Sequence, residues 1–169
     1  MTIKAMMAGV ALLAMSGTAL AEDSEEIMAR LAALEGEWML LDENGEVTDI
    51  VASTFRITAS GSTLMERMFP DSPDGYEMLN VYHIDGDRVL MTHYCSAGNQ
   101  PRLSAISTDE DRLSWEMESI TNLSNPGDDH MHQAEFVFHG DDRLTTHWNS
   151  MSDGELSDES ATFELQRRQ

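Results

Sequence analysis

The sequence predicts an all-β protein: an antiparallel β-barrel of about ten strands that follows an N-terminal helix. Three observations lead to this class. Only one segment, near the N-terminus, has apolar residues at helical spacing, whereas most of the remaining chain forms short, strand-like stretches. Turn signals rich in Gly, Asn and Asp separate these stretches at regular intervals. An antiparallel meander of this kind can close into a barrel, which removes exposed sheet edges.

Residues 1–21 have the pattern of a secretory signal peptide. Lys4 provides a positive n-region, an apolar stretch follows, and Ala19-Leu20-Ala21 is a small-x-small cleavage site. The apolar stretch is short for a bilayer span and contains Gly and Ser, which disfavours a membrane anchor. We therefore expect residues 22–169 to form a single mature domain that is periplasmic or secreted and does not insert into a membrane after cleavage.

The segment SEEIMARLAALEGEW predicts the helix. Ser24 can cap its N-terminus, Ile27, Leu31 and Leu34 fall on one face, and Gly36 ends it.

Strands and turns follow the helix to the end of the chain. Asn44-Gly45 predicts the first hairpin, and the segment NLSNPGDD is the longest polar loop. Later turns are expected at 85–87, 109–112 and 140–142.

The hairpin around residue 86 decides which side chains share a face. We expect a two-residue turn at Asp85-Gly86, because Asp-Gly is a strong hairpin signal. This register places Asn80 opposite Met91 and keeps His83 on the face away from His93. A three-residue loop is the alternative, and it would place His83 on the same face as His93.

Alternation along the strands brings several polar side chains to one predicted face. His93 and Cys95 share a face of one strand. In another strand, His130 and His132 share a face with Phe136, which should point inward. The opposite face of that strand carries Met131, Gln133, Glu135 and Val137.

These faces predict one cavity with a loop, Ser96–Arg102, at its mouth. Asn80, Tyr82 and Trp148 are expected as its walls, and polar residues of the loop as its rim. The predicted ligand-binding residues are Asn80, Tyr82, His93, Cys95, Asn99, Gln100, Arg102, His130, His132 and Trp148.

A metal site is the alternative interpretation of the same side chains. Zinc and copper accept imidazole and thiolate ligands, and one inward histidine could serve as an axial ligand to haem. The set consists of His93, Cys95, His130 and His132. The default is that no cofactor is bound, because an inward histidine is more often a hydrogen-bonded core residue.

Composition excludes some partners. The 31 Asp and Glu residues outnumber the 10 Lys and Arg residues, and the formal net charge is -21. Such a surface repels nucleic acids, so we expect no nucleic-acid partner. Cys95 is the single cysteine, which excludes an internal disulfide. The oligomeric state is left open.

Two stretches resemble known proteins. Gly36-Glu37-Trp38 resembles the Gly-x-Trp that opens the first strand of lipocalin and calycin barrels, in which an arginine near the C-terminus covers the tryptophan. Arg167 or Arg168 would take that role here. The stretch His93-Tyr94-Cys95-Ser96-Ala97-Gly98-Asn99-Gln100-Pro101-Arg102 resembles a family of secreted bacterial proteins of unknown function with lipocalin-like barrels. The resemblance implies a lipocalin-like fold and export, and it implies no established activity.

The leading functional hypothesis is an exported protein that binds a small, partly apolar molecule inside the barrel. A metal- or haem-binding barrel, with or without catalysis, is the alternative, and a purely structural domain with a filled barrel is the third. The sequence shows no Gly-rich phosphate loop, serine-centred elbow or carboxylate-pair signature, which favours a function without catalysis.

Overall fold

A computed structural model describes residues 23–109 and 111–169 of the protein and shows a closed antiparallel barrel of ten strands. Each strand pairs with its neighbours in sequence, and the first strand pairs with the last to close the barrel. The predicted fold class is therefore confirmed. The elements are α1 (Ser24–Ala32), β1 (Gly36–Leu41), β2 (Val47–Thr58), β3 (Thr63–Met68), β4 (Met78–Asp85), β5 (Arg88–Tyr94), β6 (Gln100–Asp109), β7 (Arg112–Thr121), β8 (His130–Phe138), β9 (Arg143–Ser152) and β10 (Glu155–Arg167).

The predicted signal peptide, residues 1–21, lies outside the described residues. None of the helical residues in the described ranges forms a segment with the length and hydropathy of a membrane-spanning helix.

The N-cap of α1 lies one residue before the predicted one. Asp23, not Ser24, is the N-cap: its carboxylate accepts a hydrogen bond from the backbone N–H of Glu26 at 2.9 Å. The carboxylate of Glu26 in turn accepts one from the Asp23 backbone N–H at 3.3 Å. This reciprocal capping box satisfies two backbone donors, which a cap at Ser24 would not do with the same partner.

One end of the barrel is closed by α1 and by the Trp38 side chain. Trp38 is 1% exposed, and its indole N–H donates to the carbonyl of Leu34 at 2.8 Å. The guanidinium of Arg167 lies 4.4 Å above the Trp38 ring and donates to the carbonyls of Ala33 and Glu35. The expectation of a buried tryptophan under a C-terminal arginine is confirmed, and the arginine is Arg167.

The opposite end of the barrel, here called the open end, carries the connections that follow the odd-numbered strands. Because all neighbouring strands are antiparallel, these five connections lie away from α1. They comprise residues 42–46, 69–77, 95–99, 122–129 and 153–154.

The β4–β5 hairpin turns at a different place from the prediction. Its two loop residues are Gly86 and Asp87, because Asp85 still pairs with Arg88 in the ladder. Gly86 has φ +66° and occupies the first central position, where a type II′ turn requires glycine. The carboxylate of Asp85 also contacts the Arg88 guanidinium at 3.1 Å across the hairpin.

The new register moves the pairing by two residues and preserves the faces. Asn80 lies opposite His93, not opposite Met91 as predicted. Because side chains alternate with a period of two, a displacement of two residues leaves each on its expected side. His83 therefore stays on the face away from His93.

Large side chains fill much of the barrel interior. Tyr82, Trp115 and Phe136 are all at most 1% exposed, and their rings contact one another. The ring of Phe136 also lies 5.8 Å from that of Trp148. Buried ring contacts of this kind are typical of a close-packed protein core.

Candidate functional site

Glu66 is the centre of a buried polar network inside the barrel. It lies on β3 and is 1% exposed. Its carboxylate accepts hydrogen bonds from the Ser53 hydroxyl at 2.6 Å, the Asn80 amide at 2.7 Å and the Tyr82 hydroxyl at 2.5 Å. Burial raises the pKa of Glu66, and the three hydrogen bonds act in the opposite direction.

The network continues from Asn80 to His93. The Nδ1 atom of His93 lies 2.6 Å from the Asn80 Oδ1 atom. Because the Asn80 amide nitrogen already donates to Glu66, its oxygen is the acceptor and His93 Nδ1 carries the proton. The Nε2 atom of His93 is then an unprotonated acceptor.

His93 is a neutral, fully buried base. Burial lowers its pKa to about 4, so the imidazole is uncharged at neutral pH. Its ring lies 5.5 Å from that of Trp148, and Nε2 has no hydrogen-bond partner among the described residues. Asn80, Tyr82, His93 and Trp148 were predicted to share the interior, and the structure brings them together there.

Replacement of Glu66 by glutamine tests the network through pH. A carboxyl whose pKa is raised on folding stabilises the fold below its unfolded pKa of 4.5 and loses that contribution as pH rises through the folded pKa. Glu66→Gln has no such loss, and its amide can donate to Ser53 while its oxygen accepts from Asn80 and Tyr82. We expect the variant to gain stability relative to the wild type as the pH of urea unfolding is raised from 5 to 8.

The matched control is Glu43→Gln, which also removes one carboxylate but at an exposed turn residue. A difference between Glu66→Gln and the wild type that stays constant over this pH range would show that Glu66 is not held with a raised pKa.

The turn between β5 and β6 is tighter than the predicted Ser96–Arg102 loop. The backbone N–H of Cys95 donates to the carbonyl of Asn99 at 3.1 Å, so the turn spans residues 95–99. Gln100 and Arg102 belong to β6 and pair with Thr121 and Ser119 of β7. Pro101 is tolerated in this strand because β6 pairs with β5 only from Arg102 onward.

Two of the predicted rim residues, Gln100 and Arg102, therefore lie on β6 and not in the turn. Arg102 is exposed on β6. The Gln100 side chain donates to the carbonyl of Gly98 and accepts from the Thr121 hydroxyl, which fixes it on the turn. Asn99 is 4% exposed, and its amide donates to the carbonyl of Asp129 in the next loop.

A β-bulge at the start of β8 changes the predicted alternation. The pairing with β9 shifts between Met131 and Gln133, so His132 has no partner of its own. Met131, which alternation assigned to the outer face, packs against the core because the extra residue reverses the alternation at that end. The His130 side chain is buried, with 6% of its surface exposed. Its ring lies 5.8 Å from that of His132.

A metal site was the alternative interpretation of the same histidines and cysteine. In the part of the chain that the structure describes, no three His, Cys, Asp or Glu side chains come together as metal ligands would. Cys95 is half-buried against the core. That His93, Cys95, His130 and His132 bind a metal or another ligand stays a prediction.

An apolar cleft at the open end was not predicted. We call it the mouth cleft; its volume is about 600 Å³. It lies between β1, β2 and β10 on one side and the β3–β4 loop on the other. Its lining residues are Leu40, Asp49, Ile50, Val51, Phe69, Asp71, Ser72, Pro73, Asp74, Tyr76 and Phe163.

The mouth cleft is built on the barrel wall. Leu40, Phe69 and Phe163 also pack against the core, and the rings of Phe69 and Phe163 meet edge-on with centroids 5.1 Å apart. In the sequence, residues 70–75 (PDSPDG) have the composition of a loop and nothing that indicates a binding site. The sequence signals that point to the cleft are an isoleucine in a strand-like stretch, Ile50, and a tyrosine beside this loop, Tyr76; both side chains are exposed in the structure.

The fold and the cleft together define the class of the protein: a closed ten-stranded antiparallel barrel, compatible with ligand binding, with a helix at one end and an apolar cleft at the other. No known family model matches the chain, and no curated protein is significantly similar to it.

Proposed function

We propose that the protein binds a small, mostly apolar molecule in the mouth cleft and has no catalytic role. The observation that carries the proposal is the cleft itself. Its volume of about 600 Å³ lies within the range of roughly 300–1,000 Å³ that is usual for small-molecule sites. Seven of its lining residues are apolar or aromatic: Leu40, Ile50, Val51, Phe69, Pro73, Tyr76 and Phe163.

The mouth cleft suits a ligand better than the deeper interior predicted from the sequence. Tyr82, His93 and Asn80 are each completely buried, so a molecule could reach them only by displacing packed side chains. By contrast, Ile50 is 46% exposed and Tyr76 is 58% exposed. Apolar surface that is exposed in one patch marks a binding site more often than scattered apolar residues do.

Export remains part of the proposal. The sequence-based expectation of a cleaved signal at residues 1–21 would place the ligand in the periplasm or outside the cell. A barrel that binds without chemistry fits a role in carrying or sequestering an apolar compound.

Titration with the neutral apolar dye N-phenyl-1-naphthylamine tests the proposal, with fluorescence enhancement as the readout. The wild type is expected to bind the dye, and Ile50→Ser to bind it about fivefold more weakly. Full burial of an isoleucine contributes roughly 1.5–3 kcal/mol, and about half of that is at stake at this partly exposed position.

Ile106→Ser is the matched control. Ile106 is 42% exposed on β6 and does not line the mouth cleft, so its replacement should leave dye affinity unchanged. No dye binding by the wild type, or equal losses in the two variants, would refute a ligand site in the cleft.

A further inference from the structure

The charged side chains of the mouth cleft all have one sign. Asp49, Asp71 and Asp74 line it, and its described lining residues include no Lys, Arg or His. The carboxylates of Asp49 and Asp74 have no hydrogen bond or ion pair with any described residue. A cationic group that enters the cleft would therefore meet carboxylates that are not already neutralised.

The partial neutralisation of Asp71 does not change the sign. Asp71 lies close enough to Arg67 to contribute to the raised pKa of its guanidinium. The Nε atom of Arg67, however, lies 2.5 Å from the Glu77 Oε1 atom. The hydrogen bond between them is the main cause of the lowered pKa of Glu77. Arg67 is thus already paired with another carboxylate.

Aromatic rings stand beside these carboxylates. Phe69, Tyr76 and Phe163 line the same cleft. The face of an aromatic ring attracts a cation, and several rings together are a recurrent way to bind alkylated ammonium groups, which are weakly hydrated. Neither an anionic nor a neutral ligand could use this combination of rings and carboxylates.

We infer that the ligand of the mouth cleft is an organic ammonium cation with an apolar body. The inference rests on the proposed function and adds the chemical class of the ligand. The apolar body lies against Leu40, Val51 and Ile50, and the ammonium group lies between the aromatic rings and the Asp carboxylates.

Three compounds with the same eight-carbon chain test the charge requirement: octyltrimethylammonium, 1-octanol and octyl sulfate. Their affinities are measured by isothermal titration calorimetry below micellar concentration and at 150 mM NaCl, where charges beyond about 8 Å are largely screened. Octyltrimethylammonium is expected to bind at least tenfold more tightly than 1-octanol, and octyl sulfate more weakly than either.

The whole protein is strongly acidic, so the variants must separate local from overall charge. The double variant Asp49→Asn, Asp74→Asn is expected to bind octyltrimethylammonium at least fivefold more weakly and 1-octanol as before. Its control removes two exposed carboxylates at turns near the closed end, in Asp87→Asn, Asp111→Asn. This control has the same net charge and should retain the affinity for the cation.

The outcomes distinguish the two proposals. Equal binding of octyltrimethylammonium and 1-octanol, or an equal loss in both double variants, overturns the cation inference and leaves the apolar site in place. If none of the three compounds binds, the proposed function fails as well. A Tyr76→Leu variant that loses affinity for the cation but not for 1-octanol would support the role of the ring.

Discussion

Replacement of Trp38 by alanine is expected to lower the free energy of unfolding by about 3–5 kcal/mol, as measured by urea denaturation. The indole is 1% exposed and packs edge-on against Phe55 at the closed end of the barrel. Its removal leaves a cavity under α1 and exposes the Leu34 carbonyl, which accepts the indole N–H. The Arg167 guanidinium also loses the ring on which it lies.

Two further variants show whether the loss comes from this position. Tyr94→Ala removes an aromatic ring that is 47% exposed, and its effect should stay within about 0.5 kcal/mol. Arg167→Lys keeps the positive charge but cannot reach the carbonyls of Ala33 and Glu35 together, so a smaller loss is expected. A loss below about 1 kcal/mol for Trp38→Ala would show that the closed end does not depend on this side chain.

The closed end was predictable from the sequence, because its signals are either the spacing of neighbouring residues or a pattern of specific residue types. The apolar face of α1, with Ile27 and Leu31, follows from spacing alone, and both side chains are buried. The Gly-x-Trp pattern placed Trp38 at the start of β1. Its partner Arg167 came from the resemblance to lipocalin barrels, since no local pattern joins residues so far apart in the chain.

The strand count was predictable for a similar reason, whereas the register was not. Turn residues mark where a strand ends, but Asp85, Gly86 and Asp87 allow more than one two-residue turn. The structure selects the turn in which Asp85 and Arg88 remain paired. The β-bulge at His132 places Met131 on the core side of β8. No residue type at this position predicts a bulge.

The candidate site shows the limit of arguments from alternation. Alternation along β5 correctly predicts that His93 faces the barrel interior, because the pattern of this single strand is enough to assign its faces. The mouth cleft depends on Leu40, Phe69 and Phe163, which come from β1, the β3–β4 loop and β10. Only the closure of the barrel brings these segments together. Phe69 also has φ +49°, a left-handed conformation rarely adopted by a phenylalanine and not predictable from its neighbours.

The contribution of His93 to the stability of the protein is expected to fall by about 2 kcal/mol as the pH is lowered from 7 to 5. A base whose pKa is depressed on folding keeps its contribution above its unfolded pKa of 6.5 and loses it as pH falls toward the folded pKa of about 4. In this interval the unfolded chain takes up a proton that the folded chain does not. Each tenfold difference in proton affinity corresponds to about 1.4 kcal/mol.

His93→Asn is the variant that isolates this contribution. The asparagine amide nitrogen can occupy the position of His93 Nδ1 and donate to the Asn80 oxygen, so the network around Glu66 is kept. The variant is expected to be less stable than the wild type at pH 7, because the lost imidazole leaves a cavity beside Trp148.

The decisive measurement is how that difference changes with pH. Glu66 acts in the opposite direction on the wild type, since its raised pKa adds stability as pH falls, and it does so equally in the variant. The difference between the two proteins should therefore shrink by about 2 kcal/mol from pH 7 to pH 5, through His93 alone. His139→Asn, at an exposed histidine, is the matched control for the loss of one imidazole. Parallel curves for His93→Asn and the wild type would mean that His93 titrates in the folded protein as it does in the unfolded chain, and that its ring is not held neutral by burial.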